Sequence, residues 1–343
     1  MTIVGVGFLV PRLLLAGEPE PTETPKRSIV LLSRPDSGET DTTPPSGQES
    51  NNISQDTSAE ELEPTPGAPG ATGGGGGAPI STYDIMDQLT NDEIRDVVVW
   101  TDRPIAENRV SRDWVWGPGA ISGPIDEPFE GDDQSERTVQ YFEKGRLEVA
   151  VHRDGMWPVT GGLLAVEMIS GSIQVGIDSF DEQPPAEITV FGDGETGPAY
   201  ADLVQLLDQE PLGEGEAISQ RIAADGRIED VPFLARRGFM TVHPDEAGEH
   251  SIAEPFWEFM NARGEVFDGE DYVTEDLFPD PYFATGRPIT EPFWVDVGGD
   301  ALGQCFERRC LVYGPSEGSQ WQVQSNDIGL DYFTWRYGVG VGL

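Results

Sequence analysis

Basic residues are scarce in this sequence. Its 343 residues include 21 lysines and arginines against 62 aspartates and glutamates, which gives a formal net charge of −41 at pH 7. The only lysines are Lys26 and Lys144. Such a surplus of negative charge repels phosphate backbones and acidic lipid surfaces. The composition therefore argues against nucleic acid as a partner.

Histidine is rare as well, and the common catalytic motifs are missing. The three histidines, His152, His243 and His250, are scattered and belong to no HExxH, GxSxG or Cys-His arrangement. Acidic turns at 193–195 and 268–271 lack the alternating ligand positions of an EF-hand loop. We therefore expect no metal, no cofactor and no enzymatic activity.

Long hydrophobic runs are also missing. The N-terminal stretch MTIVGVGFLVPRLLLA (1–16) is shorter than the roughly 20 apolar residues of a transmembrane helix. Its length fits an export signal, although Pro11-Arg12 interrupts it and no basic residue precedes it. Residues 17–80 are rich in Pro, Gly, Ser, Thr and acids, which predicts a disordered tether. We expect a secreted or cell-surface protein without a stable membrane span.

The two cysteines, Cys305 and Cys310, flank a predicted turn at 306–309. Cysteines on either side of a four-residue hairpin turn can come within disulfide range. Free thiols and a metal site are the alternatives, but two thiols without a nearby histidine supply only half of a zinc shell. We predict a disulfide, which agrees with export to an oxidising compartment.

One stretch of the sequence occurs twice. Residues 124–149 and 288–313 align without a gap, and ten of their 26 paired positions are identical. Both copies contain a Pro-rich loop followed by two β-type runs around a turn. The sequence thus predicts an α+β, β-rich fold with two equivalent Pro-loop plus β-hairpin units, short helices and a strand-rich middle region. The expected boundaries are 81–155, 156–250 and 251–343.

The identical spacing makes a packing prediction. Phe129 and Phe293 should be buried in equivalent positions, and so should Phe142 and Phe306. The paired polar residues should bond the backbone of a loop or turn, because an unpaired buried polar group is costly. Those pairs are Gln140 with Gln304 and Glu143 with Glu307.

The second copy contains a characteristic order of motifs. A helix predicted in FWEFMNARG (256–264) precedes a GRPITE loop (286–291) and a QCFERR hairpin (304–309). This order is similar to a repeat of an uncharacterised family of exported bacterial proteins. It also resembles, more loosely, the LGFP-type repeat of secreted cell-wall-associated proteins, with Arg287 in place of the LGFP aromatic residue. The resemblance implies export but no activity. The blocks that carry it, over about residues 95–338, are RDWVWGP, RTVQYFEKGRLEV, GGLLAVEMISG, SIAEPFWEFMN, ATGRPIT, QCFERRCLVY and FTWRYG.

Paired glutamates keep a catalytic alternative open. Glu127 and Glu143 are sixteen residues apart, as are Glu291 and Glu307, and glycosidases need two carboxylates across a sugar-binding cleft. The alternative is that these glutamates only satisfy turn amides or pair with adjacent bases. Duplication favours binding, because two linked weak sites gain through effective concentration.

Two tryptophans are the aromatic candidates for binding. Trp294 aligns with the charged Glu130, so we expect its ring to face water and to stack on a sugar. The sequence favours a non-catalytic envelope or extracellular module that binds cell-wall glycan or a surface protein, and the alternative is a carbohydrate-active hydrolase. The candidate binding residues are Trp294, Glu291, Glu307, Trp116, Glu127 and Glu143.

Overall fold

The computed structural model describes residues 89–131, 135–149, 159–191, 197–242, 250–315 and 321–338. The predicted export signal, the tether, two of the histidines and the acidic turn at 193–195 lie outside these residues. Strands outnumber helices and are distributed over several small sheets, so the predicted α+β, β-rich class is confirmed.

The helices are short. The α-helices are α1 (Asp92–Ala106), α2 (Leu164–Ser170), α3 (Glu254–Met260) and α4 (Ile328–Tyr337), and 3-10 helices cover Tyr200–Leu206 and Leu234–Arg237. Asn91 caps α1, since its Oδ1 accepts a hydrogen bond from the amide of Ile94 at 2.9 Å. Gly171 ends α2 in the left-handed conformation, which glycine adopts without steric cost.

Two larger sheets hold the two copies of the repeat. The first has four strands, which lie side by side in chain order, and the second has six. The remaining strands pair in three two-stranded sheets. The strands of the first sheet are β1 (Ile125–Pro128), β2 (Glu136–Phe142), β3 (Gly145–Val149) and β4 (Val159–Gly161). Those of the second are β7 (Gln220–Ile222), β8 (Ile228–Asp230), β13 (Phe293–Asp296), β14 (Asp300–Cys305), β15 (Cys310–Pro315) and β16 (Trp321–Ser325). Their order across the sheet is β16-β15-β14-β13-β7-β8. The other strands are β5 (Ser172–Gln174), β6 (Phe180–Glu182), β9 (Thr241–Val242), β10 (Ile252–Ala253), β11 (Arg263–Phe267) and β12 (Tyr272–Asp276).

The two hairpins have the same register. Gln140 pairs with Leu147 in the first hairpin, and Gln304 pairs with Leu311 in the second. Both members of the pair thus lie 164 residues further along the chain in the second copy. The same displacement relates β4 to β16 and α2 to α4. The duplicated unit is therefore larger than the sequence comparison reveals, because it also includes a fourth strand and the helix that follows it.

The loops that precede the two hairpins correspond at a different sequence separation from the hairpins themselves. In the first copy, Gln140 Nε2 donates to the carbonyl of Ser122 at 3.0 Å, and in the second Gln304 Nε2 donates to the carbonyl of Thr290 at 2.9 Å. Ser122 and Thr290 are 168 residues apart, so the gapless alignment of the two loops is wrong by four residues. The extra four residues lie between β1 and β2, where residues 129–135 correspond to 297–299. The sequence alignment pairs PIDEPF with PITEPF because two similar segments, ISGPI (121–125) and IDEPF (125–129), lie four residues apart in the first copy.

Burial of the paired phenylalanines reflects this displacement. Phe142 and Phe306 are both fully buried, as predicted, and Phe293 is buried as well. Phe129 is only half-buried, so the expected equivalence of Phe129 and Phe293 is wrong. Ile125 takes the equivalent place, because it pairs with Val139 as Phe293 pairs with Gly303.

Each copy is bonded to the other by reciprocal contacts. The amide of Val166 in α2 donates to the carbonyl of Glu307 at 3.3 Å, and the amide of Leu330 in α4 donates to the carbonyl of Glu143 at 3.2 Å. Both donors and both acceptors are related by the displacement of 164 residues. Equivalent residues that contact each other in both directions define an isologous interface. The two copies therefore pack as an intramolecular pseudo-dimer.

The hydrophobic core runs through this interface. Val139 and Leu164 from the first copy and Phe293 and Ile328 from the second belong to one buried cluster, which also includes apolar residues of the 3-10 helix at Tyr200–Leu206. One apolar face of each sheet is buried in this shared cluster, whereas the opposite faces pack in two further clusters. The pseudo-dimer contact is therefore part of the fold itself.

Gly329 provides a test of this packing. A Cβ atom at this position in α4 would lie 1.9 Å from the carbonyl oxygen of Phe142 and 2.7 Å from the amide nitrogen of Gly145. Helix propensity alone predicts that Gly329→Ala stabilises the protein by about 1 kcal/mol. We expect the opposite sign, a loss of about 2 kcal/mol or more, because the backbone atoms of the turn cannot yield easily. Urea unfolding followed by tryptophan fluorescence measures the difference.

The control is Gly123→Ala, where an added Cβ meets nothing within 4 Å. It should change the free energy of unfolding by less than about 0.5 kcal/mol. A Gly329→Ala variant that is as stable as the parent would contradict the close contact between α4 and the first hairpin turn.

Candidate functional site

Glu127 lies at the centre of a buried polar cluster. It is 2% exposed, and its Oε1 accepts hydrogen bonds from the hydroxyls of Tyr141 at 2.6 Å and Tyr337 at 2.8 Å. Its Oε2 lies 3.1 Å from Arg336 Nη1. Burial raises the pKa of Glu127, but the guanidinium groups of Arg146 and Arg336 outweigh burial and hold the pKa below its ordinary value. Glu127 is therefore a charged anchor for the groups around it.

Arg146 extends this cluster towards α2. The arginine is 1% exposed and donates from Nε to Glu148 at 2.9 Å and from Nη1 to the hydroxyl of Tyr141 at 3.2 Å. Glu167 and Tyr332 close the cluster through a hydrogen bond from the tyrosine hydroxyl. Three arginines thus face three glutamates, which satisfies the rule that buried charges are paired. We call this set the Glu127 cluster: Glu127, Arg137, Tyr141, Arg146, Glu148, Glu167, Tyr332, Arg336 and Tyr337.

The disulfide occupies the corresponding place in the second copy. Cys305 pairs with Cys310 across the hairpin as Tyr141 pairs with Arg146 in the first. The two sulfur atoms are 1.97 Å apart, and both cysteines are fully buried. The predicted disulfide is confirmed. The same two positions thus hold a covalent link in one copy and part of an ionic cluster in the other.

Trp294 does not face water. It is 1% exposed, its Nε1 donates to the carbonyl of Ile218 at 2.8 Å, and its ring centroid lies 5.7 Å from that of Phe239. The expectation of an exposed stacking ring is wrong for two reasons. Trp294 corresponds by register to Asp126 rather than to Glu130. In addition, β13 pairs with β7 along its outer edge, whereas β1 is an edge strand of its sheet.

Trp116 is also part of the core. It is 1% exposed, and the guanidinium carbon of Arg309 lies 4.7 Å from its ring centroid. Arg309 corresponds to Gly145, where an added Cβ would lie 3.2 Å from Arg309 Nη2 and from Trp116 Cζ3. The arginine of one copy fills the space that the glycine of the other leaves open. Trp116 therefore stabilises the contact between the copies and is not available for a ligand.

Glu291 is held by the backbone. Its Oε1 accepts from the amide of Ser251 at 2.9 Å and faces His250 Nδ1 at 3.0 Å, and its Oε2 accepts from the amide of Leu212 at 3.0 Å. The other ring nitrogen of His250 lies 3.2 Å from the carbonyl of Leu207. Both ring nitrogens are engaged, so this histidine is not placed to act as a general base.

The remaining two candidates lie at the hairpin turns. Glu307 Oε2 accepts from the amide of Arg287 at 2.9 Å, as predicted for a turn-bonding residue. Burial, and then the charge of Asp327, raises the pKa of Glu143. Burial and Asp327 also raise the pKa of the neighbouring Asp331 to about 7, although Tyr200 donates a hydrogen bond to it. The structure thus engages the predicted glutamates in internal contacts and assembles no pair of unengaged carboxylates from them.

A pocket of about 350 Å³ opens beside the Glu127 cluster. Phe129 forms part of its wall, with the guanidinium carbon of Arg137 4.9 Å from the ring centroid. Arg336 lines the pocket and bonds Glu127 and Tyr332 through Nη1. Among the described residues nothing accepts a hydrogen bond from its Nε or Nη2. The lining residues are Pro128, Phe129, Glu130, Ser135, Val175, Asp181 and Arg336.

A second pocket, of about 240 Å³, lies against Glu291. The side chains of Gln209 and Gln220 in its wall bond each other in both directions, at 2.8 and 3.1 Å. No aromatic residue lines it. Its polar groups are largely satisfied within the protein, which makes the pocket beside Phe129 the better candidate site.

Comparisons with known proteins give no family assignment: no protein-family model, curated protein or solved structure matches the chain. Over the part of the chain that the structure describes, no group of three or more His, Cys, Asp or Glu side chains could hold a metal ion. In the same residues, no helix has the length and apolar character needed to cross a membrane.

Sequence reasoning missed most of the Glu127 cluster, although a signal was present. In RTVQYF, Arg137, Val139 and Tyr141 share one face of β2, because side chains alternate along a strand. On β3, Arg146 and Glu148 likewise share a face. Charged residues on the same strand face as buried apolar residues indicate an internal ionic cluster.

Glu127→Gln should be strongly destabilising. The substitution keeps the shape and removes the charge that compensates Arg336 and Arg146, so we expect a loss of about 3 kcal/mol in the free energy of unfolding. The matched control is Glu130→Gln on the surface, which should cost less than about 0.5 kcal/mol. Urea unfolding measures both. Equal effects of the two variants would contradict the anchoring role of Glu127.

Asp331 should make stability depend on pH. Its folded-state pKa of about 7 lies above the ordinary value of 3.8, so the folded state binds a proton that the unfolded state releases, and stability falls as pH rises from about 4 to 7. Asp331→Asn removes this effect. The variant should match the parent near pH 4 and exceed it by about 4 kcal/mol at pH 8, because each pKa unit corresponds to about 1.4 kcal/mol. Thermal unfolding across this range measures the difference, and a difference that does not grow with pH would refute the prediction. The surface variant Asp178→Asn is the control.

Proposed function

We propose that this protein is a non-catalytic module that acts at the cell surface or in the extracellular space and binds cell-wall glycan through its folded part. A surface protein is the alternative partner. The proposal concerns binding rather than turnover, and it follows from what the candidate glutamates contact.

The observation that carries the proposal is the engagement of these glutamates. Glu127 is bonded by two tyrosine hydroxyls and faces a guanidinium group, and Glu291 is bonded by two backbone amides. A glycosidase needs one carboxyl group that donates a proton and another that attacks the sugar or activates water. Carboxylates fixed by internal donors suit neither role, which supports binding over hydrolysis.

Two further features support a location outside the cytoplasm. The disulfide between Cys305 and Cys310 is of a kind that persists mainly in oxidising compartments. The resemblance of the repeats to those of secreted cell-wall-associated proteins agrees with it and stays a prediction. The net charge of −41 keeps the protein soluble and well hydrated in such a setting.

Binding and hydrolysis can be separated in one experiment. The purified full-length protein is mixed with insoluble bacterial cell walls in about 0.15 M salt, sedimented, and assayed both for bound protein and for new reducing ends. We expect the protein to sediment with the walls, a soluble oligosaccharide to compete, and no reducing ends to form above the wall-only control.

Two outcomes would overturn the proposal. Protein that stays in the supernatant with every wall preparation would remove the binding function. Reducing ends that form with the parent but not with Glu307→Gln, which can still accept the Arg287 amide, would establish the hydrolase instead.

A further inference from the structure

We propose that the pocket between Phe129 and Arg336 is the ligand site and that it takes one neutral sugar ring of a glycan, with one site per chain; this rests on the proposed glycan-binding function. The pocket of about 350 Å³ is of the size range of small-ligand sites. Four features of its wall define the ligand chemistry.

Phe129 supplies the apolar surface. The ring is half-buried and lines the pocket, and Arg137, 4.9 Å from its centroid, packs against it. Arg137 is itself 5% exposed and donates to the carbonyl of Gln174 at 3.0 Å. The ring is thus held in place before a ligand arrives, which lowers the entropic cost of binding. An aromatic side chain fixed in this way can pack against the C–H face of a sugar.

Arg336 supplies hydrogen-bond donors. Its Nη1 is fixed at 3.1 Å from Glu127 and 2.9 Å from the Tyr332 hydroxyl. Nε and Nη2 form the other edge of the planar guanidinium group, no described residue accepts from them, and this edge has the geometry to donate to a ligand oxygen. Glu127 neutralises the charge of Arg336 from behind. The edge therefore acts as a donor pair rather than as an isolated positive charge.

Two carboxylates at the rim complete the site. Glu130 and Asp181 are exposed and line the pocket, and Glu130 is fixed because its Oε2 accepts from Ser179 Oγ at 2.7 Å. Carboxylates accept hydrogen bonds from sugar hydroxyls, but they repel an anionic ligand. This combination of donors, acceptors and an aromatic face favours a neutral, hydroxyl-rich ring.

The second copy cannot form the same site. Phe129 and Ser135 belong to the β1–β2 connection, which is four residues longer than the β13–β14 connection of the second copy. In addition, β13, which is the strand equivalent to β1, pairs with β7 along its outer edge. The two repeats therefore yield one site, and a stoichiometry of two is excluded by the proposal.

The test is a calorimetric titration of the full-length protein with chitohexaose and cellohexaose. We expect saturable binding of at least one of them with one site per chain. Phe129→Ala should weaken this binding about tenfold or more, and Asp181→Asn should weaken it several-fold. Phe233→Ala is the matched control, because Phe233 is 54% exposed and does not line the pocket; it should bind like the parent. Circular dichroism establishes whether each variant is folded. If Phe129→Ala does not fold, Asp181→Asn alone tests the site.

The outcomes separate the site from the function. If the parent binds an oligosaccharide or isolated walls and both pocket variants bind equally well, the glycan function stands and the site is wrong. Two equivalent sites per chain would also overturn the site. If the parent binds neither oligosaccharides nor walls, the proposed function fails and the site falls with it.

Discussion

The fold depends on two equivalent hydrogen bonds that join each copy to the other. Helix α2 of the first copy donates to the hairpin turn of the second through Val166 and Glu307, and α4 donates to the first turn through Leu330 and Glu143. A turn carbonyl that is packed under a helix must find a donor, because an unpaired buried carbonyl is costly. Each helix end supplies that donor for the opposite copy. The shared core forms around these contacts, so neither copy can be understood as an independent unit.

The two copies differ at positions where equivalent residues meet in the interface. Where equivalent residues meet, they compete for one space, and two large side chains would not fit. Arg309 and Gly145 show the result, since the arginine occupies the space beside Trp116 that the glycine leaves. At the neighbouring pair of positions one copy has a disulfide and the other a tyrosine and an arginine.

The sequence predicts the hairpins, their turns and the disulfide, because each of these is specified by residues close together in the chain. It does not reveal the four-residue displacement of the loops. Only hydrogen bonds such as those from Gln140 to Ser122 and from Gln304 to Thr290 fix that correspondence, and the recurring Pro-containing segments favour the wrong alignment. The burial of Trp294 depends on β7, a strand from the middle of the chain whose pairing with β13 involves a single residue pair. The Glu127 cluster gathers residues from β1, β2, β3, α2 and α4. The strand patterns of β2 and β3 indicate a buried ionic cluster, but no local pattern specifies its partners on β1, α2 and α4.

The four extra residues of the connection between β1 and β2 also explain why the candidate site forms in the first copy. In the second copy a short connection and the covering strand β7 place Trp294 in the core, where it stabilises the six-stranded sheet. In the first copy the longer connection carries Phe129 away from the position that Phe293 fills, and β1 remains an edge strand. A wall of the pocket is therefore built from residues that the core does not need. Buried Glu127 then orients Arg336 from below. Duplication thus provides two scaffolds of the same design, and the copy whose strand edge remains uncovered retains surface that can be used for recognition.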